Sequence, residues 1–99
     1  MIASQWWLRA LGRTLIWARL DLHDSGIAQV FDCDGRTLVY DSEDSARAAL
    51  LDAEFAALDG LDEDDAAALG LDLASIHPPA AGSDEALRER MIQALPAIH

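Results

Sequence analysis

The sequence predicts an α+β fold: a single small domain in which a three-stranded antiparallel meander is packed by one main helix plus two to three short helices. Two observations predict the strands. Over residues 14–22 every second residue from Ile16 is apolar while Arg19 and Asp21 interrupt the other set, and Asp34-Gly35, a strong hairpin signal, separates two short apolar runs. A third predicts the helix, because apolar residues within 41–59 recur at intervals of three and four. An all-helical fold is the alternative, but it leaves Asp34-Gly35 and the alternation unexplained.

The N-terminal segment, residues 1–13, is compatible with a helix or with an extended strand. Ser4 and Gly12 suit the N-cap and the C′ position of a short helix over 4–11. An extended conformation is the alternative, because the segment holds two aromatic residues and no long periodic run. Adjacent residues cannot share one face of a helix or strand, so we expect one of Trp6 and Trp7 to be buried and the other partly exposed.

The predicted meander spans residues 14–40. One face of its first strand is apolar throughout and consists of Ile16, Ala18, Leu20 and Leu22. The turn formers of HDSG lead into a second strand, IAQVF, and DCDG leads into a third, TLVY. Because both connections are short, neighbouring strands must run antiparallel.

The main helix is predicted over residues 41–59. Asp41 or Ser42 can cap its start, and Glu43 and Asp44 lie in the first turn, where the helix dipole favours negative charge. Its apolar stripe is widened by two large side chains, Leu51 and Phe55. Gly60 is predicted to end the helix, which we expect to cover one face of the meander.

Short helices and loops are predicted over residues 61–99. Asp62 can cap a short helix that Gly70 ends, which explains three further acids in its first turn: Glu63, Asp64 and Asp65. Pro78-Pro79 forbids a helix through the loop that follows. Ser83 can cap a last helix over 84–95, which Pro96 stops.

The charge of the chain is strongly negative. Its 99 residues hold 18 acidic side chains and seven arginines, a formal net charge of −11. Residues 21–80 contain fifteen of the acids and only two of the arginines. This region repels phosphates and anionic lipids, so we expect neither direct nucleic-acid binding nor membrane binding. We expect a basic protein partner instead.

No motif predicts a catalytic residue, a cofactor or a bound metal. The acids from Asp32 to Asp44 superficially resemble a calcium loop, but Gly35 stands at position four rather than six, and ligand positions are missing. Cys33 is flanked by two aspartates, which raise a thiol pKa and suppress the nucleophile. The histidines lack the spacing of a zinc pair. The sequence therefore does not predict an enzyme. The alternative is a small metal-dependent module or enzyme that uses the Asp cluster of the hairpin.

The sequence predicts a non-catalytic interaction or regulatory protein that binds a basic protein surface, as an inhibitor, antitoxin or immunity protein does. Tryptophan and arginine are enriched at binding hot spots, and acids suit a basic partner. The predicted protein-binding residues are Trp6, Trp7, Arg9, Asp62, Glu63, Asp64 and Asp65. We expect a monomer or homodimer. A lone cysteine and the lack of a visible secretory signal or membrane span predict a cytoplasmic protein, and the lysine-free composition is typical of bacteria with GC-rich genes.

Overall fold

The computed structural model describes residues 3–68, 70, 71, 73 and 76–94, in which six antiparallel strands form one sheet. The strands are β1 (Ala3–Leu11), β2 (Thr14–Leu22), β3 (Ala28–Phe31), β4 (Thr37–Tyr40), β5 (Ala56–Ala57) and β6 (Ile92–Ala94). The helices are α1 (Glu43–Asp52), a 3₁₀ helix (Leu58–Gly60), α2 (Glu63–Ala68) and α3 (Asp84–Arg90). The sheet order is β4-β3-β2-β1-β5, and β6 pairs with β2. The α+β class and the meander are confirmed.

Within the N-terminal segment, residues 3–11 form a strand, so the extended alternative is the correct one for them. All nine residues of β1 pair with β2, from Ala3 opposite Leu22 to Leu11 opposite Thr14. Gly12, which would suit the C′ position in the helical alternative, instead begins a two-residue hairpin turn with a φ of 59°. Glycine at this first central position suits a tight hairpin because it tolerates positive φ. β1 therefore extends the predicted meander by one strand.

The two connections of the meander form as predicted. Gly26 adopts a φ of 90° in the first, and Gly35 adopts a φ of 83° in the second. In the second turn the carboxylate Oδ1 of Asp32 accepts hydrogen bonds of 3.0 Å from the backbone N–H groups of Asp34 and Arg36. A side chain that satisfies its own turn in this way is the usual reason for Asp at such positions.

The sheet is covered on both faces. On one face α1 contributes Ala46 and Leu50 to a core that includes Trp7, Leu20 and Val30. On the other face α2 and α3 contribute to a second core, which contains Leu8, Leu15, Trp17, Phe31, Ala66, Leu71, Leu87 and Met91. Strand residues alternate between these two cores, which is why β1 and β2 carry large apolar side chains at adjacent positions. None of the helices in the described part of the chain is long and apolar enough to cross a membrane.

The main helix is shorter than the predicted 41–59. Ser42 caps its start, where its Oγ accepts a hydrogen bond of 3.2 Å from the N–H of Ser45. The helix ends at Asp52, and Glu54 adopts a left-handed conformation with a φ of 68°. The chain then turns so that Ala56 and Ala57 pair with β1, and this strand pairing overrides the helical periodicity of the remaining residues. Gly60 ends the short 3₁₀ helix instead.

Replacing Glu54 with glycine should make the protein more stable than replacing it with alanine. Both substitutions remove the 3.4 Å ion pair between Arg9 and Glu54, but only alanine keeps the Cβ that disfavours positive φ. We expect the free energy of unfolding of Glu54→Gly to exceed that of Glu54→Ala by about 1 kcal/mol. Urea denaturation of the two variants measures this difference. Equal midpoints and slopes would contradict it.

The last helix also ends earlier than the predicted residue 95. Ser83 caps α3 as expected, but α3 ends at Arg90 and the next residues form β6. β3 pairs only with residues 19–22 of β2, which leaves residues 14–16 of that edge open, and β6 pairs there. Trp17 adds a hydrogen bond of 3.1 Å from its Nε1 to Oε1 of Gln93. Leu95 and Pro96, which we predicted at this helix end, lie outside the described residues.

Candidate functional site

The two adjacent tryptophans point to opposite faces of the sheet. Trp7 is 1% exposed and lies in the core beneath α1. Trp6 is half-buried against the other core, with its ring 5.9 Å from that of Trp17 in an edge-to-face arrangement. The expectation of one buried and one partly exposed tryptophan is therefore confirmed. Both indole rings contribute to packing, because a strand covered on both faces uses both sets of its side chains.

Arg9 ties β1 to the end of α1. Its Nη1 donates a hydrogen bond of 3.1 Å to the backbone carbonyl of Ala53, and its Nη2 lies 3.4 Å from a carboxylate oxygen of Glu54. A cation is favourable at this helix end because the last carbonyls carry partial negative charge. The structure thus gives Arg9 an intramolecular partner on the α1 side of the sheet.

The four predicted acidic residues form an exposed acidic turn, residues 62–65, at the start of α2. Asp62 caps the helix, since its Oδ1 accepts a hydrogen bond of 2.8 Å from the N–H of Asp65. Within the described part of the chain, the arginines that form ion pairs do so with acids outside this turn. The side chains of Glu63, Asp64 and Asp65 are therefore exposed to solvent without an ion-pair partner among the described residues.

An open groove of about 410 Å³ lies between α1 and α2, at the β5 end of the sheet. We call it the β5 groove, and its lining residues are Trp7, Arg47, Leu51, Phe55, Ala56, Ala57, Gly60, Leu61, Asp65 and Ala68. Most of this lining is apolar. The groove brings together two of the predicted binding residues, Trp7 and Asp65. Trp6 belongs to the core on the other face, and Arg9 to the end of α1.

The indole N–H of Trp7 is an unsatisfied donor. Its Nε1 is buried and has no hydrogen-bond partner among the described residues. Leaving such a donor unpaired costs about 1–3 kcal/mol, so buried donors are normally paired. The guanidinium of Arg47 lies over the same ring, 5.3 Å from its centroid, and 3.4 Å from a carboxylate oxygen of Glu43. Arg47 is thus neutralised by a neighbour on its own helix.

Sequence reasoning missed most of the groove. Leu51 is 60% exposed and Phe55 half-buried, although both extend the apolar stripe of the predicted helix. The available signal was the width of the apolar stripe on the predicted helix. A stripe wider than the sheet can cover leaves some apolar side chains exposed, and these can line a groove. Gly60, Leu61 and Ala68 carried no signal, because only the tertiary fold brings them beside α1.

No protein-family model, curated protein or solved structure matches this chain.

The acids of the turn between β3 and β4, Asp32 and Asp34, interact with other residues of the same turn. Arg36 lies 3.5 Å from Asp32 and 3.6 Å from Asp34, in addition to the backbone hydrogen bonds that Asp32 accepts. Among the residues that the structure describes, no three His, Cys, Asp or Glu side chains form a group able to hold a metal ion. Burial, followed by the carboxylates of Asp34 and Asp32, raises the pKa of the Cys33 thiol. This lowers the thiolate fraction at neutral pH and weakens Cys33 as a nucleophile.

Proposed function

We propose that this protein is a non-catalytic interaction protein that binds and masks a basic protein surface, in the manner of an inhibitor, antitoxin or immunity protein. The observation that carries the proposal is the acidic turn, whose side chains Glu63, Asp64 and Asp65 are exposed and have no ion-pair partner within the described part of the chain. A basic partner would supply the missing countercharge.

The charge around the acidic turn supports the same partner. Residues 41–65 contain ten acidic side chains and one arginine, Arg47, which Glu43 already neutralises. Such a field accelerates encounter with a basic surface and repels acidic partners. It also repels nucleic-acid phosphates and anionic lipids, so the proposed partner is a protein. The lone Cys33 fits a reducing compartment, and we place the protein in the bacterial cytoplasm.

Neutralising the acidic turn should abolish capture of basic proteins at low salt. The test variant carries Glu63→Gln, Asp64→Asn and Asp65→Asn, and it keeps Asp62 because that side chain caps α2. A control variant carries three amide substitutions at exposed acids elsewhere: Asp41→Asn, Glu85→Gln and Glu89→Gln. The two variants have the same net charge, so a difference in the proteins they capture shows that the position of the acids matters.

The measurement is affinity capture from a bacterial lysate by the immobilised proteins, with the bound proteins identified by mass spectrometry. Buffers of about 0.01 M and 1 M salt change the Debye length from about 30 Å to 3 Å. We expect the wild type and the control to retain basic proteins in low salt only, and the acidic-turn variant to lose them. Partners that are not basic, capture that ignores salt, or equal loss in both variants would each overturn the proposal.

A further inference from the structure

The β5 groove has the composition of a site for an apolar side chain. Among the described residues that line it, the polar ones are Arg47 and Asp65, and the remainder are apolar or glycine. Leu51 on its rim is 60% exposed. Burying this apolar side chain against a ligand would lower the free energy. The groove's volume of about 410 Å³ lies within the range of roughly 300–1,000 Å³ that is typical of ligand sites. It accommodates one large apolar side chain together with the backbone on either side.

The charge at the groove selects a basic occupant. Asp65 lines the groove and also belongs to the acidic turn, so the apolar floor and the negative charge meet at one residue. Asp62, the N-cap of α2, lies three residues before it and accepts a hydrogen bond from the N–H of Asp65. Arg47, the one base among the described lining residues, is already paired with Glu43. A positively charged side chain next to an apolar anchor would therefore find the carboxylate of Asp65, which has no ion-pair partner within the described part of the chain.

Trp7 lies beneath the groove and is 1% exposed, so its ring forms the base of the groove rather than an open wall. Its Nε1 is buried and has no acceptor among the described residues. The choice of occupant therefore rests on the exposed apolar rim and on the charge of Asp65, which favours a cationic peptide segment over a lipid or hydrocarbon.

We infer that the β5 groove binds an extended segment of a basic protein, in which one large apolar side chain is flanked by arginine or lysine. The apolar side chain packs against Leu51 and Phe55, above the buried ring of Trp7, and the flanking cation lies against Asp65. This inference rests on the proposed function and adds the chemical pattern that the partner must present. It predicts recognition by an apolar anchor as well as by charge.

The test uses two acetylated and amidated pentapeptides of equal charge, RLRLR and RARAR. They are titrated into the ¹⁵N-labelled full chain and followed by chemical-shift changes of the backbone and of the indole N–H groups. We expect RLRLR to bind roughly tenfold more tightly than RARAR, since burial of one leucine side chain separates them. The shifts should centre on the groove, and the Trp7 indole signal should move more than that of Trp6.

A pair of protein variants distinguishes binding in the groove from attraction by the overall negative charge of the protein. Leu51→Glu adds a negative charge but removes an apolar rim residue, and should weaken RLRLR binding by roughly three- to tenfold. Val39→Glu adds the same charge on β4, at the opposite end of the sheet, where Val39 is 63% exposed. This control should bind RLRLR as well as the wild type or slightly better. Circular dichroism melts of both variants serve to check that they are folded.

The outcomes distinguish the inference from the proposed function. Equal affinity for the two peptides, or unchanged RLRLR binding by Leu51→Glu, would overturn the inference and leave the charge-based function standing. Shifts centred away from the groove would also overturn it. Failure of both peptides to bind in low salt would count against the inference and the proposed function together.

Discussion

A chain that lacks residues 1–12 is expected not to fold. The deletion removes β1, which pairs along its full length with β2 and also pairs with β5. It takes Trp7 and Leu8 out of the two cores, and these side chains are 1% and 0% exposed. Loss of each buried side chain alone costs about 2–5 kcal/mol, against a total stability of about 5–15 kcal/mol for a domain. The stability lost through the deletion is therefore larger than the remaining contacts can offset.

Far-UV circular dichroism and the dispersion of amide proton signals measure this result. We expect residues 13–99 to show no cooperative thermal transition, whereas a full-length Arg13→Ala control, changed only in the exposed turn, should unfold cooperatively. A folded deletion variant would contradict the conclusion that the pairing and core side chains of β1 are required for folding. It would instead support a separable N-terminal docking segment.

Trp7→Ala should destabilise the protein more than Trp6→Ala. Trp7 is fully buried beneath α1, and its truncation should lower the free energy of unfolding by about 3–5 kcal/mol. Trp6 is half-buried and loses mainly its edge-to-face contact with Trp17, which we expect to cost about 1–3 kcal/mol. The difference arises because the two side chains lie on opposite faces of β1.

Urea denaturation of the two alanine variants and of Trp7→Phe tests this order. Trp7→Phe keeps an aromatic ring in the core and removes the unpaired indole N–H, so it should lose much less stability than Trp7→Ala. Equal and negligible losses for both alanine variants would show that this segment is not part of the core. A loss at Trp6 larger than at Trp7 would contradict the assignment of the two faces.

The acidic turn shows how one group of residues serves two purposes. The acids at the start of α2 favour helix initiation, and Asp62 caps the helix directly. Helix initiation needs only the cap and a favourable charge in the first turn. The exposed side chains of Glu63 and Asp64 remain available to a basic partner. For this reason the test of the proposed function spares Asp62 and changes the residues that follow it.

Features that depend on neighbouring residues were determined by the sequence alone. The turns at Gly26 and Gly35, the caps at Ser42, Asp62 and Ser83, and the starts of all three α-helices follow from local chemistry. The α+β class and the meander follow from the alternation and the hairpin signal. These features are local because a cap or tight turn is satisfied by atoms a few residues away.

The tertiary structure decided what local patterns leave open. Residues 3–11 extend because β2 offers a full-length partner, and residues 92–94 extend because β3 leaves part of the edge of β2 unpaired. Leu51 and Phe55 line a groove, although their spacing is that of a core stripe, because α1 ends early and the chain returns to the sheet as β5. Pairing and burial between distant segments outweigh helix propensity, which is worth only tenths of a kcal/mol per residue, or about 1 kcal/mol at most outside proline. The β5 groove therefore exists only in the folded chain.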